Sequence, residues 1–290
     1  MPAALALTVP DEREPLDQVL RRYKAALVAA GCSKSTITQR LKVLAMLQGV
    51  TDGLDPRDAI ADDIVLLLGR PNTQTGEPLA PTSRRTYFLA LKAFYKWCED
   101  TDRLDRSPMR RMPRPRVPAA VPHPISEADL ARALDAAQGD MYAWLILGAY
   151  MGLRVHEIAK IKGEDFTGDQ LVVKGKGGVE ARLRVHARVE ELRRVYPRAG
   201  WWFPTRWAEA GLPHVTADGV SAGVSRFFML HGIRETAHSL RHRFVTQVLK
   251  TSGGNLRIAQ EAARHSSVAT TQIYTFVDPD DLGNAITALP

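Results

Sequence analysis

Near its end the chain reads Ala263-Arg264-His265-Ser266-Ser267-Val268-Ala269-Thr270-Thr271-Gln272-Ile273-Tyr274, so a tyrosine follows a histidine by nine residues. Three earlier stretches hold further basic side chains: Gly152-Leu153-Arg154-Val155-His156-Glu157, Gly175-Lys176-Gly177 and Ala237-His238-Ser239-Leu240-Arg241-His242. Together these stretches supply two arginines, a lysine, two histidines and a late tyrosine. That set suits one reaction, the displacement of an oxygen at a phosphodiester without a metal ion.

Each residue type has a chemical reason. An arginine fork holds two phosphate oxygens and keeps its charge, so Arg154 and Arg241 can offset the negative charge that builds up during attack. Lys176 is on a glycine-flanked turn; near other cations it holds its proton less tightly and can protonate a leaving alkoxide. Taken singly, Arg154 is equally a surface arginine, Lys176 an exposed hairpin charge and Tyr274 a packing residue. Only the combination indicates catalysis.

Two histidine-containing motifs also raise the question of a metal site. His238 and His242 stand four residues apart, as in the helix of zinc hydrolases, but that motif needs a glutamate where Ser239 stands. Near His156-Glu157, the position of the second histidine is taken by Lys160. The sequence therefore predicts catalysis without a metal and without any other cofactor.

Charge and cysteine content limit the class of protein. The 290 residues carry 39 Lys+Arg against 32 Asp+Glu, a net charge of +7 that favours a polyanionic partner. Cys32 and Cys98 are too few for a disulfide framework or a thiolate zinc site, so the cytoplasm is the expected compartment. Residues 1–7 lack the basic start of a signal peptide, and the longest apolar stretch, Met141–Leu153, is too short to span a bilayer, so no membrane partner is expected.

A segment rich in proline and arginine divides the chain. Six prolines and six arginines lie between Arg103 and Pro124, and proline at this density excludes both helix and central strand. We predict an N-terminal tail (1–15), a helical domain (16–107), a linker (108–124), a second domain (125–278) that holds the candidate reactive residues, and a C-terminal tail (279–290). Two interpretations remain open for four linker arginines, phosphate binding or simple solvation: Arg110, Arg111, Arg114 and Arg116.

Apolar periodicity and capping residues predict a mainly α-helical chain with a small β-hairpin or sheet in the C-terminal domain. Helices are predicted at 16–30, from 33, at 56–68, from 81, from 126, and at 141–151, 155–162, 187–196, 238–250, 255–264 and 268–276; strands are predicted at 170–174 and 182–185. Two helix starts carry residues that we predict to bind DNA phosphates: Lys34, Ser35 and Arg40, then Arg84, Arg85 and Lys92. Ordinary capping explains the serines and threonines there equally well.

In order and spacing these residues resemble the tyrosine recombinases, also called the phage integrase family, over residues 125–280. The match comprises Arg154, Lys176, His238, Arg241, His265 and Tyr274, together with the acidic Glu157 of the Gly-Leu-Arg box and His242 of the His-x-Leu-Arg-His motif. The resemblance implies a helical core-binding domain and a recombinase catalytic domain that form a C-shaped clamp, as in small members without an arm-binding domain.

The resemblance also implies the role of each residue. Tyr274 would attack the scissile phosphate, giving a 3′-phosphotyrosyl bond and a free 5′-hydroxyl. Arg154 and Arg241 would hold the non-bridging oxygens, while His238 would manage the tyrosine proton and Lys176 would protonate the leaving oxygen. The remaining members would support the site: His265 as a hydrogen-bond donor to the phosphate, Glu157 as a brace and His242 as a neighbouring support.

The partners implied are double-stranded DNA with a specific core site, further protomers in a tetramer on paired sites, and an accessory DNA-bending or directionality protein.

The C-terminal tail has an apolar stripe at helical spacing, formed by Leu282, Ala285, Ile286 and Leu289. We predict that this tail docks on a neighbouring protomer; the alternative is that it packs on its own domain.

Three other functions use parts of the same set. A type IB topoisomerase nicks and reseals DNA with nearly the same residues, a non-catalytic DNA-binding protein needs only the basic ones, and a metal nuclease would be sensitive to EDTA.

Two positions depart from the family pattern without removing a reacting group. Arg264 stands where the family commonly has glycine, which changes the local geometry, and His186 stands where a proline often follows the second strand.

Overall fold

Helices form most of the protein. The structure is a computed structural model that describes residues 13–73, 75–118, 121–174, 180–205, 211–264 and 271. Within these residues the chain forms eleven α-helices and three β-strands. It divides into two compact units, Met1–Pro118 and Ala119–Pro290. The mainly helical fold with one small sheet, which the sequence predicts, is confirmed.

The described part of the first unit contains four helices: α1 (Leu16–Ala29), α2 (Lys34–Val50), α3 (Ala61–Gly69) and α4 (Pro81–Asp100). Its core forms around the apolar face of α4, where Phe88 and Phe94 are buried among side chains of the other helices. Local signals begin two of the helices. Ser33 accepts the Thr36 N–H ahead of α2, and Pro81 occupies the first position of α4, where a missing N–H costs nothing.

Helix α3 is shorter than the sequence predicts, because it begins at Ala61 rather than at Pro56. Residues 55–58 form a hydrogen-bonded turn instead. The carboxylate of Asp63 then accepts the Ile60 N–H at 2.9 Å and caps the helix. A capping side chain three positions beyond Ile60 therefore decides the helix start.

The segment rich in proline and arginine begins against the first unit. Met109 is 2% exposed and packs in that unit's core. Arg103 pairs with Glu14 at 2.9 Å and lies over the ring of Trp97. Four arginines beyond it are exposed and have no ion pair with any described residue: Arg110, Arg111, Arg114 and Arg116. The predicted limits of the domains and the linker stay predictions.

The described part of the second unit contains seven helices: α5 (Glu127–Ala136), α6 (Gly139–Met151), α7 (Val155–Ile158), α8 (Ala187–Arg193), α9 (Ala217–Leu230), α10 (Ala237–Thr251) and α11 (Leu256–Ala263). Helix α6 lies at its centre, with the consecutive Leu145, Ile146 and Leu147 all buried and α8, α9 and α10 packed around it. A helix that is apolar on every side can only be buried in this way.

Three strands form an antiparallel sheet in the order β1 (Phe166–Thr167), β2 (Gln170–Lys174) and β3 (Glu180–Arg184). Leu171 lies opposite Leu183, and Lys174 lies opposite Glu180 at the end of the hairpin that adjoins residues 175–179. The hairpin of β2 and β3 was predicted; β2 has the predicted limits, whereas β3 begins two residues earlier and ends one residue earlier than predicted. The two-residue β1 is too short to leave an alternating pattern, which explains why the sequence does not predict it.

Two helices of the second unit differ most from the prediction. Helix α9 is not predicted, although Thr216 caps it and Val220, Val224 and Phe228 bury one of its faces at helical spacing. Helix α7 ends at Ile158, four residues before its predicted end, because the chain tightens into 3₁₀-type turns there.

Candidate active site

Gly152 sets the turn that presents Arg154. It follows the last residue of α6 with a φ of 60°, in the left-handed region that favours glycine. A Cβ at this position would lie 2.2 Å from the ring of Phe244, so a larger side chain does not fit. The Leu153 N–H returns to the Leu147 carbonyl at 3.3 Å. The chain therefore leaves a buried helix sharply, and Arg154 precedes α7 with its side chain 32% exposed.

Glu157 is the buried acid that holds this turn. Its side chain is 1% exposed, and it accepts the Arg154 backbone N–H at 2.8 Å and Arg154 Nη1 at 3.1 Å. Burial would raise the pKa of Glu157, but Arg264, the Arg154 N–H and the nearby guanidinium charges outweigh burial and lower it. The carboxylate is therefore ionised, and it fixes the direction of the Arg154 side chain.

Arg241 connects the same turn to the end of α11. It lies on α10 and is 2% exposed. Its Nη1 donates to the Gly152 carbonyl, and its Nη2 donates to the Ala263 carbonyl at the last residue of α11. Both carbonyls lie at helix C-termini, where a cation is favourable. One buried guanidinium thus joins two segments that are far apart in sequence.

Two histidines lie one turn apart on α10. The ring centroids of His238 and His242 are 4.4 Å apart, with an interplanar angle of 76°. Burial, Arg241 and Arg154 lower the pKa of His238, a residue that keeps part of its surface exposed to solvent. Burial, the neighbouring ring and Arg241 lower the pKa of His242 to about 4. Both rings are therefore mainly neutral at pH 7, and a neutral imidazole can accept a proton.

Three predicted catalytic residues lie outside the described part of the chain: Lys176, His265 and Tyr274. The strands before and after Lys176 pair with each other in the hairpin of β2 and β3. The predicted helix at 268–276 also lies outside the described residues, except for Thr271, which is fully buried. The roles of these residues are therefore carried forward as proposals.

The structure adds Arg264 to the site. This residue directly follows α11 with a φ of 54°, which explains why a glycine suits the position. Its side chain is 9% exposed; Nη2 donates to Glu157 Oε2 at 2.6 Å and to the Gly152 carbonyl at 3.3 Å. In the sequence, the feature that could have pointed to Arg264 is that an arginine stands where the family commonly has glycine. Only the fold shows that the side chain turns toward Glu157.

His186, the second departure from the family pattern, directly precedes α8. Its Nδ1 accepts the Arg188 N–H at 3.2 Å and so caps the helix. Burial and the charges of Arg188 and Arg243 lower the pKa of His186, which favours the neutral ring that this cap requires. The helix start is therefore kept without a proline.

The predicted DNA-binding residues of the first unit lie at two helix starts. Lys34 and Ser35 are exposed in the first turn of α2, where the capping oxygen belongs to Ser33. Arg84, on α4, donates from Nη2 to the Leu79 carbonyl at 3.1 Å, so part of its guanidinium is occupied. The others are exposed or partly exposed: Arg40, Arg85 and Lys92. All six stay predictions.

Comparison with known proteins identifies the family. The sequence profile of the phage integrase family matches residues 125–280, more than half of the 290 residues. The chain belongs to the phage integrase family. This family member is 28% identical over 288 residues to tyrosine recombinase XerD of Caulobacter vibrioides, covering 89% of this chain and 91% of that protein. It is 30% identical over 231 residues to tyrosine recombinase XerC of Salmonella typhi, covering 72% and 74% of the two chains.

Solved structures of the family share its fold. A lambda integrase dimer bound to a COC′ core site aligns with a TM-score of 0.71 at 14% identity, covering 92% of this chain and 78% of that one. XerH site-specific recombinase bound to difH substrate aligns with a TM-score of 0.58 at 20% identity, covering 94% of this chain and 83% of that one. The predicted family, the mainly helical fold class and the recombinase type of enzyme are confirmed, and the topoisomerase-like and non-catalytic alternatives are not favoured.

Two features are absent from the described residues of this phage integrase family member. None of its described helices combines the length and the apolar character needed to cross a bilayer. Among the same residues, no three His, Cys, Asp or Glu side chains come together as a set of metal ligands.

Proposed function

We propose that this family member cleaves and rejoins DNA at a specific core site by covalent transfer of a strand to Tyr274. One observation carries the proposal: the two motif arginines converge on one turn of the chain. Arg154 bonds to Glu157, and Arg241 bonds to the Gly152 carbonyl. Two cations from distant parts of the sequence thus flank one place, as the two non-bridging oxygens of a phosphodiester require.

The charge of the site supports this reaction. A phosphodiester carries one negative charge, and a second develops on the phosphoryl oxygens when the tyrosine oxygen adds. Arg154 and Arg241 are already held by Glu157 and by backbone carbonyls, so they need no rearrangement as that charge appears. Fixed donors of this kind stabilise a transition state more than they stabilise the ground state.

Proton transfer completes the proposed reaction. The tyrosine hydroxyl proton passes to neutral His238, the tyrosine oxygen bonds to phosphorus, and the bond from phosphorus to the 5′-oxygen breaks. Lys176 protonates the departing 5′-oxygen, and His265 donates a hydrogen bond to a non-bridging oxygen. Because the phosphotyrosyl bond keeps the energy of the phosphodiester, rejoining is the reverse reaction and needs no nucleotide cofactor.

Contacts outside the reacting centre belong to the same proposal. Exposed basic residues of the first unit and of the linker bind phosphates and position the duplex. Four protomers assemble on paired sites, by analogy with the lambda integrase tetramer bound to a Holliday junction. An accessory DNA-bending or directionality protein is a further proposed partner. We also propose that the protein acts in the cytoplasm, where Cys98 stays reduced; burial raises the pKa of its thiol to about 12.

A covalent-trapping experiment tests the proposal. The protein is incubated with nicked substrates carrying its core site and run on a denaturing gel. The wild-type chain should give a protein–DNA adduct, whereas Tyr274→Phe should give none while binding the same duplex. The matched control is Tyr142→Phe, a partly buried tyrosine of the same unit, which should trap DNA normally. An adduct of undiminished yield with Tyr274→Phe would exclude this nucleophile.

Chelation separates the proposal from a metal nuclease. Trapping should proceed at the same rate in EDTA, because side-chain cations replace a metal at the phosphate. Loss of the adduct in EDTA, with recovery on adding magnesium or zinc, would contradict the metal-free reaction.

A further inference from the structure

The guanidinium of Arg264 is buried with part of its bonding capacity unused. Its side chain is 9% exposed, and Nη2 is bonded to Glu157 and to the Gly152 carbonyl. Its Nε and Nη1 are also buried, and neither has a hydrogen-bond partner among the residues that the structure describes. Buried donors on a cation are unfavourable when they are unpaired. These N–H groups therefore require an acceptor that is not among the described residues.

Three arginines surround a single carboxylate at this place. Arg154 and Arg264 both bond to Glu157, and Arg241 and Arg264 both bond to the Gly152 carbonyl. These side chains therefore carry an excess of two positive charges. Two negative charges are what the phosphoryl group carries after the tyrosine oxygen has added, so an anion of that kind would neutralise the cluster.

We propose that Arg264 is a third arginine of the phosphate site and donates a hydrogen bond to a non-bridging oxygen of the scissile phosphate. The inference rests on the proposed function and deepens it, because the family's glycine supplies no such group. Arg264 takes up no proton and forms no covalent bond in the reaction. It adds charge and a donor where negative charge accumulates.

The competing explanation is that Arg264 only braces Glu157. The two explanations differ in what a free anion experiences, because a brace acts through Glu157, whereas a phosphate ligand contacts the anion. Burial and the charge of Arg154 lower the pKa of Arg264, while Glu157 raises it; an arginine nevertheless stays charged at neutral pH. Because Glu157 also orients Arg154, anion affinity separates them when the effect of Arg264→Gly is measured in an Arg154→Gln background, where a brace has no phosphate ligand left to orient and only a direct contact can be lost.

In the experiment, inorganic phosphate is titrated into the full-length protein, and the dissociation constant is measured by calorimetry. Arg264→Gly should weaken phosphate binding about tenfold, the loss expected for one charge-assisted hydrogen bond. Glycine adopts the positive φ of this position easily, so the variant should fold. Arg264→Lys keeps the charge and should recover most of the affinity. The matched control is Arg243→Gln, whose guanidinium is also largely buried and paired with one glutamate, and it should bind phosphate normally.

Phosphate affinity of Arg264→Gly equal to that of the wild type would overturn the inference, and so would a wild-type chain that binds no phosphate. Trapping on a nicked core site gives the second readout. There Arg264→Gly should slow formation of the adduct about tenfold while binding DNA within about threefold of wild type. If the wild type forms no adduct on any site, the proposed function fails, but the phosphate titration still decides the role of Arg264.

Discussion

Gly152 and Phe244 touch so closely that a Cβ on residue 152 would lie 2.2 Å from the aromatic ring. The contact joins the turn after α6 to helix α10, which also carries Arg241. The position of Arg154 relative to Arg241 therefore depends on a missing side chain, as well as on the hydrogen bonds of the turn.

Gly152→Ala is expected to destabilise the protein by about 2–4 kcal/mol, because it combines a left-handed backbone with a steric clash. The measurement is the free energy of unfolding in urea. Gly232→Ala is the matched control, because Gly232 has a φ of 69° with no atom within 4 Å of the added Cβ. It should lose only about 1 kcal/mol. Equal losses would mean that the Phe244 contact contributes nothing.

The stability of the protein should fall as pH drops below neutrality, partly through His242. Its folded pKa of about 4 lies below the ordinary value of 6.5, so the unfolded chain takes up the proton first. The stability is therefore complete above pH 6.5 and is lost as pH falls toward 4. At pH 5 the loss from His242 is up to about 2 kcal/mol.

His242→Gln should flatten the dependence of unfolding free energy on pH between 7 and 5. Substitution of the exposed His231 by Gln is the matched control and should leave the slope as in the wild type. A slope unchanged by His242→Gln would show that other groups cause the acid sensitivity.

The linker arginines should contribute to DNA affinity through phosphates. Replacing Arg110, Arg111, Arg114 and Arg116 with glutamine should lower the slope of log K against log salt by about 0.9 for each phosphate that is no longer neutralised. A duplex of random sequence is sufficient for this measurement. Arg132→Gln, at a residue paired with Asp129, is the control and should keep the slope. A slope that the fourfold variant leaves unaltered would favour the solvated-linker interpretation.

Lys176→Ala should slow cleavage by about 10²–10⁴, the usual contribution of a positioned general acid. A substrate with sulfur at the 5′-bridging position should restore the rate, because a thiolate leaves without protonation. Lys174→Ala is the matched control, since Lys174 is exposed and lies 3.7 Å from Glu180. Sulfur rescue of Lys174→Ala instead would mean that the roles of the two lysines are reversed.

The C-terminal tail should link cleavage to assembly. Deleting residues 279–290 should leave binding of one protomer to a half-site intact, while weakening the second, cooperative binding step and recombination. The tail's apolar stripe is too short to form a stable helix in isolation, so it needs a surface to dock on. Gel-shift titration on half sites measures the affinity of one protomer, and titration on full sites measures the cooperativity of the second binding step. Full cooperativity in the truncated chain would favour packing of the tail on its own domain.

The sequence alone determined what depends on short-range interactions. Ser33 and Ser126 cap their helices as predicted, and Pro81 begins α4, because a cap involves residues only three apart. The apolar run of α6 predicted a buried helix, because the apolar character of a short segment is also read from neighbouring residues. The ordered set of reactive residue types also predicted the family, because the chemistry at a phosphate requires those side chains.

Tertiary structure decided which of these side chains meet. Arg241 reaches a carbonyl 89 residues away, and it can do so only because α10 packs on α6, where a Cβ on Gly148 would be 3.0 Å from Leu240. Arg264 was noticed in the sequence as a departure, but its ion pair with Glu157 spans 107 residues. No local pattern encodes such a distance, because it follows from how whole helices pack rather than from any neighbour in the chain.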